Sequence, residues 1–97
     1  MSQYVLLCNF TDQGLRTIKD VPKRRAAAAE LGKKLGVDIK AAFLAMGTYD
    51  LILHVEAPSD EALTTWALSL ASKGNVRTNT VKVFPTAEFD KIVAALA

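Results

Sequence analysis

Apolar and polar positions along this chain switch between a two-residue and a helical period, and the switches mark its elements. Tyr4-Val5-Leu6-Leu7-Cys8-Asn9-Phe10 is a short apolar run of strand formers, broken by Thr11-Asp12-Gln13-Gly14, and predicts a first strand. Thr11 or Asp12 can cap a brief helical piece through Leu15 and Ile18. Asp20-Val21-Pro22 restarts the helix, with Ala28, Leu31 and Leu35 on one stripe and Gly36 as its stop. Residues 39–46 and 49–56 predict two strands joined at Gly47-Thr48, since glycine at the first central position of a two-residue loop is the type II′ pattern. That register sets Met46 opposite Tyr49, Leu44 opposite Leu51 and Ala42 opposite Leu53. Pro58-Ser59-Asp60-Glu61 opens a second helix with Leu63, Trp66, Ala67, Leu70 and Ala71 on one face, closed by Lys73-Gly74. Residues 76–84 predict the fourth strand, ended by Pro85, and a last helix runs from Thr86 through Phe89, Ile92, Val93 and Leu96.

The order predicts an α+β, ferredoxin-like βαββαβ fold with an extra C-terminal helix, as a single domain over 1–97. In the hairpin, Ala42, Leu44, Met46, Tyr49, Leu51, Leu53 and Val55 form a face apolar enough to lie under the helices. The opposite face carries Ile39, Ala41, Phe43, Ala45, Asp50, Ile52, His54 and Glu56. A sheet face open to water is usually polar, so Ile39, Phe43 and Ile52 there mark a partner surface. The expected partner is another copy of the chain, in a two-fold dimer with a chamber between the two sheets.

Composition narrows the class without naming a reaction. A chain of 97 residues buries about 60–65% of its unfolded surface, enough for one thin core. Apolar residues at 51% and charged residues at 23% are those of a folded domain. A net charge of +2 compels neither a nucleic-acid nor a membrane partner. The lone Cys8 has no internal disulfide partner, no basic stretch and apolar leader open the chain, and no apolar run reaches membrane-span length. These features point to the cytoplasm.

At the hairpin, Met46-Gly47-Thr48-Tyr49-Asp50-Leu51 resembles the glycine-tyrosine-aspartate signature of the GYD domain family. The likeness extends to Tyr4-Val5-Leu6-Leu7, Thr11-Asp12-Gln13-Gly14, Lys19-Asp20 with Pro22, and Gly74-Asn75-Val76-Arg77-Thr78, covering nearly the whole chain. More distantly, the glycine turn, aspartate-bearing strand and following helix resemble the effector-sensing domain of Lrp/AsnC transcription regulators. Both resemblances imply a ferredoxin-like fold assembled as a dimeric α+β barrel. Neither names a reaction, and no DNA-binding helix-turn-helix precedes the sheet.

Asp50, His54, Tyr49 and Gly47 are the candidate ligand-binding residues. Asp50 and His54 share a face but lie about 13 Å apart along the strand, too far to touch, whereas His54 and Glu56 are about 7 Å apart between Cα atoms. His54 near an acid in a half-enclosed chamber could act as a base, or be an interface histidine with a satisfied hydrogen bond. Asp50 could hold a ligand's amine or hydroxyl, or cap the turn. Tyr49 is expected to pack, with its hydroxyl at the barrel mouth. No spaced ligand cluster predicts a metal, no motif predicts a cofactor, and Cys8 reads as a small buried apolar residue. The strand residues lack the aromatics of an RNA-recognition sheet. Lys23-Arg24-Arg25 at a helix start opposes the helix dipole, which either marks an anion partner or is a solvated face offset by Asp20. Three functions remain open: a homo-oligomeric binding or sensing module for a small polar molecule, a cofactor-free isomerase or oxygenase with His54 as base, and a structural interaction domain.

Overall fold

Two of the capping signals, Thr11 and Ser59, find backbone amides to hold, and they set where the helices begin. The computed structural model describes all residues from Met1 to Ala97. It comprises β1 (Ser2–Phe10), α1 (Asp12–Arg16), a 3₁₀ turn (Ile18–Asp20), α2 (Val21–Leu35), β2 (Asp38–Leu44), β3 (Leu51–Ala57), α3 (Asp60–Ser72), β4 (Val76–Val83) and α4 (Thr86–Ala94). Thr11 caps α1, its hydroxyl accepting from the Gly14 amide at 3.0 Å and donating to the Gly74 carbonyl. α1 is thereby pinned to the loop after α3, and residue 14 must be glycine, because a Cβ there would stand 2.1 Å from the Asn75 carbonyl oxygen. Ser59 caps α3 by accepting from the Ala62 amide at 3.1 Å. Gly36 (φ +79°) and Gly74 (φ +84°) end α2 and α3 in the left-handed region. Asp20 stands before α2, but its side chain makes no capping bond.

The four strands form one antiparallel sheet in the order β2-β3-β1-β4, the ferredoxin-like arrangement. On the helix side, side chains line up in rows across the strands: Ile39-Val55-Tyr4-Lys82, Ala42-Leu53-Leu6-Thr80 and Leu44-Leu51-Cys8-Thr78. On the open side the rows are Asp38-Glu56-Gln3-Val83, Ala41-His54-Val5-Val81 and Phe43-Ile52-Leu7-Asn79.

Two placements differ from the alternation read in the hairpin. The register shifts between Ile39 and Ala41, so Lys40 is bulged out and Ile39 turns to the helix side, where it packs on the core. The pairs Leu44–Leu51 and Ala42–Leu53 hold, but Met46 and Tyr49 lie outside the ladder, because the last bond across the hairpin runs from the Ala45 amide to the Asp50 carbonyl at 2.8 Å. The loop is therefore longer than a two-residue turn, and Gly47 adopts φ +139°, open to solvent. Leu44 and Met46 were expected under the helices, yet both are exposed.

The core is thin: Tyr4, Leu6, Cys8, Val37, Leu53, Val55, Ala57, Leu63, Trp66 and Ala67. Trp66 is fully buried between α2 and the sheet and donates its indole N–H to the Ala28 carbonyl at 2.9 Å. Cys8 is buried among apolar neighbours, and that burial pushes its thiol from 9.0 up to about 11. Because the folded value lies above the unfolded one, the stability this thiol contributes is full below about pH 9 and lost as pH rises toward 11. The expected result is a wild-type unfolding free energy, from urea titrations, that declines more steeply over that interval than that of Cys8→Ala, by up to roughly 2–3 kcal/mol. Equal slopes for the two proteins would contradict it.

Candidate functional site

The open side of the sheet brings the chemistry together at two places. At one end, the row Asp38-Glu56-Gln3 joins His54 in a continuous polar chain. Gln3 donates its amide to Glu56 Oε1 at 2.6 Å, and its carbonyl oxygen lies 2.6 Å from His54 Nε2. A carboxylate only accepts, so the Gln3 amide nitrogen must face Glu56 and its oxygen must face the imidazole. His54 therefore donates from Nε2, and in its neutral form Nδ1 is the nitrogen left to accept a proton or hydrogen bond. Lys40, freed by the bulge, reaches Asp38 at 3.0 Å and Glu56 at 3.7 Å. The Gln3 bond and then Lys40 hold the Glu56 carboxyl below its ordinary value, while the Asp38 contact, joined by Glu56, raises Lys40.

The middle of this face is apolar. Val5, Leu7 and Ile52 are half-buried by their neighbours alone, Phe43 is 59% exposed and Val81 is 41% exposed.

At the other end, the hairpin tip folds against β1. Asp50 Oδ2 accepts from the Phe10 amide at 3.0 Å, the Asp50 amide donates to the Cys8 carbonyl at 2.9 Å, and Asn9 donates to the Thr48 carbonyl at 2.8 Å. This clamp extends the pairing of β1 past the last residue of β3 and leaves Asp50 Oδ1 free of these bonds. Tyr49, read as a residue of the helix side, is carried across by the longer loop, so that its hydroxyl accepts from Asn79 on the open side at 3.3 Å. The sequence had placed Asp50 and His54 on one face, and the structure puts them at opposite ends of it. The link from His54 to an acid runs through Gln3, which lies 51 residues away on another strand. The regular alternation of Gln3, Val5 and Leu7 along β1 is the one signal that could have marked it.

A separate cluster lies at the start of α3. The buried Tyr4 donates its hydroxyl to Asp60, which also accepts from Lys82 Nζ at 3.0 Å, and Lys82 sits 5.9 Å over the Tyr4 ring. Burial and then the Asp60 bond raise the phenol, and the same bond with Lys82 lowers the Asp60 carboxyl. This satisfies the hydroxyl of the buried Tyr4. Nowhere do three His, Cys, Asp or Glu side chains converge at metal-binding range, and no helix is long and apolar enough to cross a membrane.

The sequence matches the GYD domain over residues 4–93. The chain belongs to the GYD domain family. This GYD chain is 33% identical over 89 residues to a Thermus thermophilus protein named glutamine synthetase and cystathionine beta-lyase binding protein, covering 91% of this chain and 94% of that one. Among solved structures, it superposes with TM-score 0.67 and 19% identity on a feast or famine regulatory protein of M. tuberculosis complexed with L-methionine, covering 89% of the GYD chain and 52% of the regulator. The GYD chain thus spans about half the length of that regulator. A Thermus thermophilus protein of known structure, TTHA0845, gives TM-score 0.62 at 23% identity, over 89% of this chain and 96% of that one. At these identities the structural likeness establishes the shared fold of Lrp-type domains, and the clamp made by Tyr49-Asp50 shows what the family's signature does for the hairpin in this chain.

Proposed function

We propose that this protein is a small cytoplasmic binding or sensing module that pairs with a copy of itself through the open face of the sheet and holds a small polar molecule in the chamber between the two sheets. The observation that carries the reading is a charged and hydrogen-bonded row, Asp38-Lys40-Glu56-Gln3-His54, at the edge of a face whose middle is apolar. Covered by a second sheet, these groups would be costly unless a ligand or the partner completed their bonds. Glu56 suits an ammonium, Lys40 a carboxylate, and His54 Nδ1 a hydroxyl or amine. Gly47, Tyr49 and Asp50 line the far end of the same chamber, where Asp50 Oδ1 is free to accept. The name of the Thermus relative, a binding protein, agrees with a module that works by association. As a base His54 has one nitrogen to offer, since Nε2 is engaged by Gln3.

Melting curves across a panel of small polar metabolites, amino acids first, test this reading. At least one compound is expected to raise the midpoint by about 5 °C or more at saturation, and His54→Ala and Asp50→Ala each to reduce that shift. A panel without any shift would remove the small-molecule reading. The relative's name favours a second reading, in which the dimer presents its surface to a metabolic enzyme. Co-elution of the chain with glutamine synthetase or cystathionine beta-lyase, in the absence of any metabolite shift, would select it.

A further inference from the structure

On the opposite side of the sheet, the first half of α2 stands away from the strands and leaves a cleft of about 420 Å³, within the usual range for small-molecule sites. Small side chains create it: Ala27 and Ala28 on the helix face Ala42 on β2, where larger residues would fill the space. Its floor is Ile39, Leu51 and Leu53, so the bulge that turns Ile39 over is part of its construction. Apolar walls around unfilled space forgo dispersion contacts that an apolar occupant restores.

The rim has the opposite character. Lys23, Arg24, Arg25 and Lys73 surround the opening against a single carboxylate, Asp20. In a chain whose net charge is only +2, that is a strong local excess. None of the four takes part in any ion pair of the fold. Arg24 is held in place by the Gly14 carbonyl at 3.3 Å and the Thr17 hydroxyl at 3.4 Å, which fixes part of the rim. No acidic residue occupies the first turn of α2, and Asp20 caps nothing, so Lys23, Arg24 and Arg25 stand near the start of α2 with no capping carboxylate, where the helix dipole disfavours them.

We infer that this cleft is a second binding site, for an organic anion with an apolar body: an alkyl or aromatic group seated over Leu51 and Leu53, with its carboxylate or phosphate held by Lys23, Arg25 and Lys73. It is separated from the polar row by the thickness of the sheet and does not depend on the reading of that row.

Titration calorimetry with decanoate and with decyl phosphate, both below their micelle concentrations, tests it, with decanol, acetate and inorganic phosphate as controls. One molecule of decanoate or decyl phosphate is expected to bind per chain, and the preferred head group identifies the source. The Lys23→Gln/Arg25→Gln double variant is expected to weaken it about tenfold or more. Ala42→Phe, which fills the cleft from the sheet, abolishes binding, and Ala27→Leu, a surface change on α2, does the same if Ala42→Phe does not fold by circular dichroism. His54→Ala leaves it unchanged. Decanol binding as well as decanoate, anion binding that survives both the charge and the filling variants, or no binding by either amphiphile would each overturn the inference. So would a change in oligomeric state on filling the cleft without any amphiphile binding, since a second copy would then be its occupant.

Discussion

Trp66→Ala is expected to cost about 3–5 kcal/mol and to lower the urea midpoint by roughly 2 M, leaving much of the population unfolded at physiological temperature. Total stability for a chain this short is about 5–15 kcal/mol, so one residue can carry a large share of it. Trp66 has no exposed surface and is the largest side chain of a core only ten residues strong. It also sets the spacing of α2 over α3. A Cβ on Gly32 would approach its indole nitrogen to 3.5 Å and the Val37 carbonyl oxygen to 2.7 Å, so the helix is brought close by having no side chain there. Truncation leaves a void that two helices and the sheet cannot collapse into without losing that contact. Trp66→Phe keeps most of the volume but deletes the donor to Ala28, and its expected cost is about 1–2 kcal/mol. Equilibrium urea unfolding followed by circular dichroism measures both. A Trp66→Ala loss under about 1 kcal/mol would mean that the interface between α2 and α3 contributes little.

Much of this architecture is local and was legible for that reason. Thr11, Ser59, Gly36 and Gly74 act on amides and carbonyls within a few residues, so their positions alone place the helix ends. The hairpin register at Ala42 and Leu44 follows from alternation. What was not legible depends on one inserted residue or on distant strands. The bulge at Lys40 moves Ile39 across the sheet and releases the lysine that meets Asp38 and Glu56, and strict alternation counted back from Phe43 passes over it. Tyr49 changed sides because a longer loop has no fixed parity. The pairing of Tyr4 with Asp60 and Lys82, and of His54 with Gln3, joins positions far apart in the chain, which a strand-by-strand reading treats separately. The cleft under α2 is likewise a product of how a helix sits, although its basic rim was visible as Lys23-Arg24-Arg25.

Leu7→Glu is expected to convert the proposed homodimer into a folded monomer. Leu7 lies on the central strand β1, between Ile52 and Asn79, in the middle of the apolar row of the open face. Nothing within the chain covers that row. α4 projects beyond the sheet with every residue exposed, including Phe89, Ile92 and Val93. The resulting radius of gyration, 14.7 Å, exceeds the about 12.5 Å of a compact chain of this length. Both features suit a chain that finishes its core against a second copy. In a two-fold interface each substitution appears twice, so Leu7→Glu would bring two carboxylates into an apolar chamber. The cost is several kcal/mol, enough to weaken association by more than about a hundredfold. Within one chain the same residue faces solvent, so secondary structure by circular dichroism should be retained, with a lower melting midpoint from the lost association. Light scattering coupled to size exclusion decides the matter: a dimeric mass for the wild type and a monomeric mass for Leu7→Glu are expected. A wild-type monomer at micromolar concentration, or a Leu7→Glu protein of unchanged mass, would place the partner surface elsewhere and leave the polar row around His54 open to water.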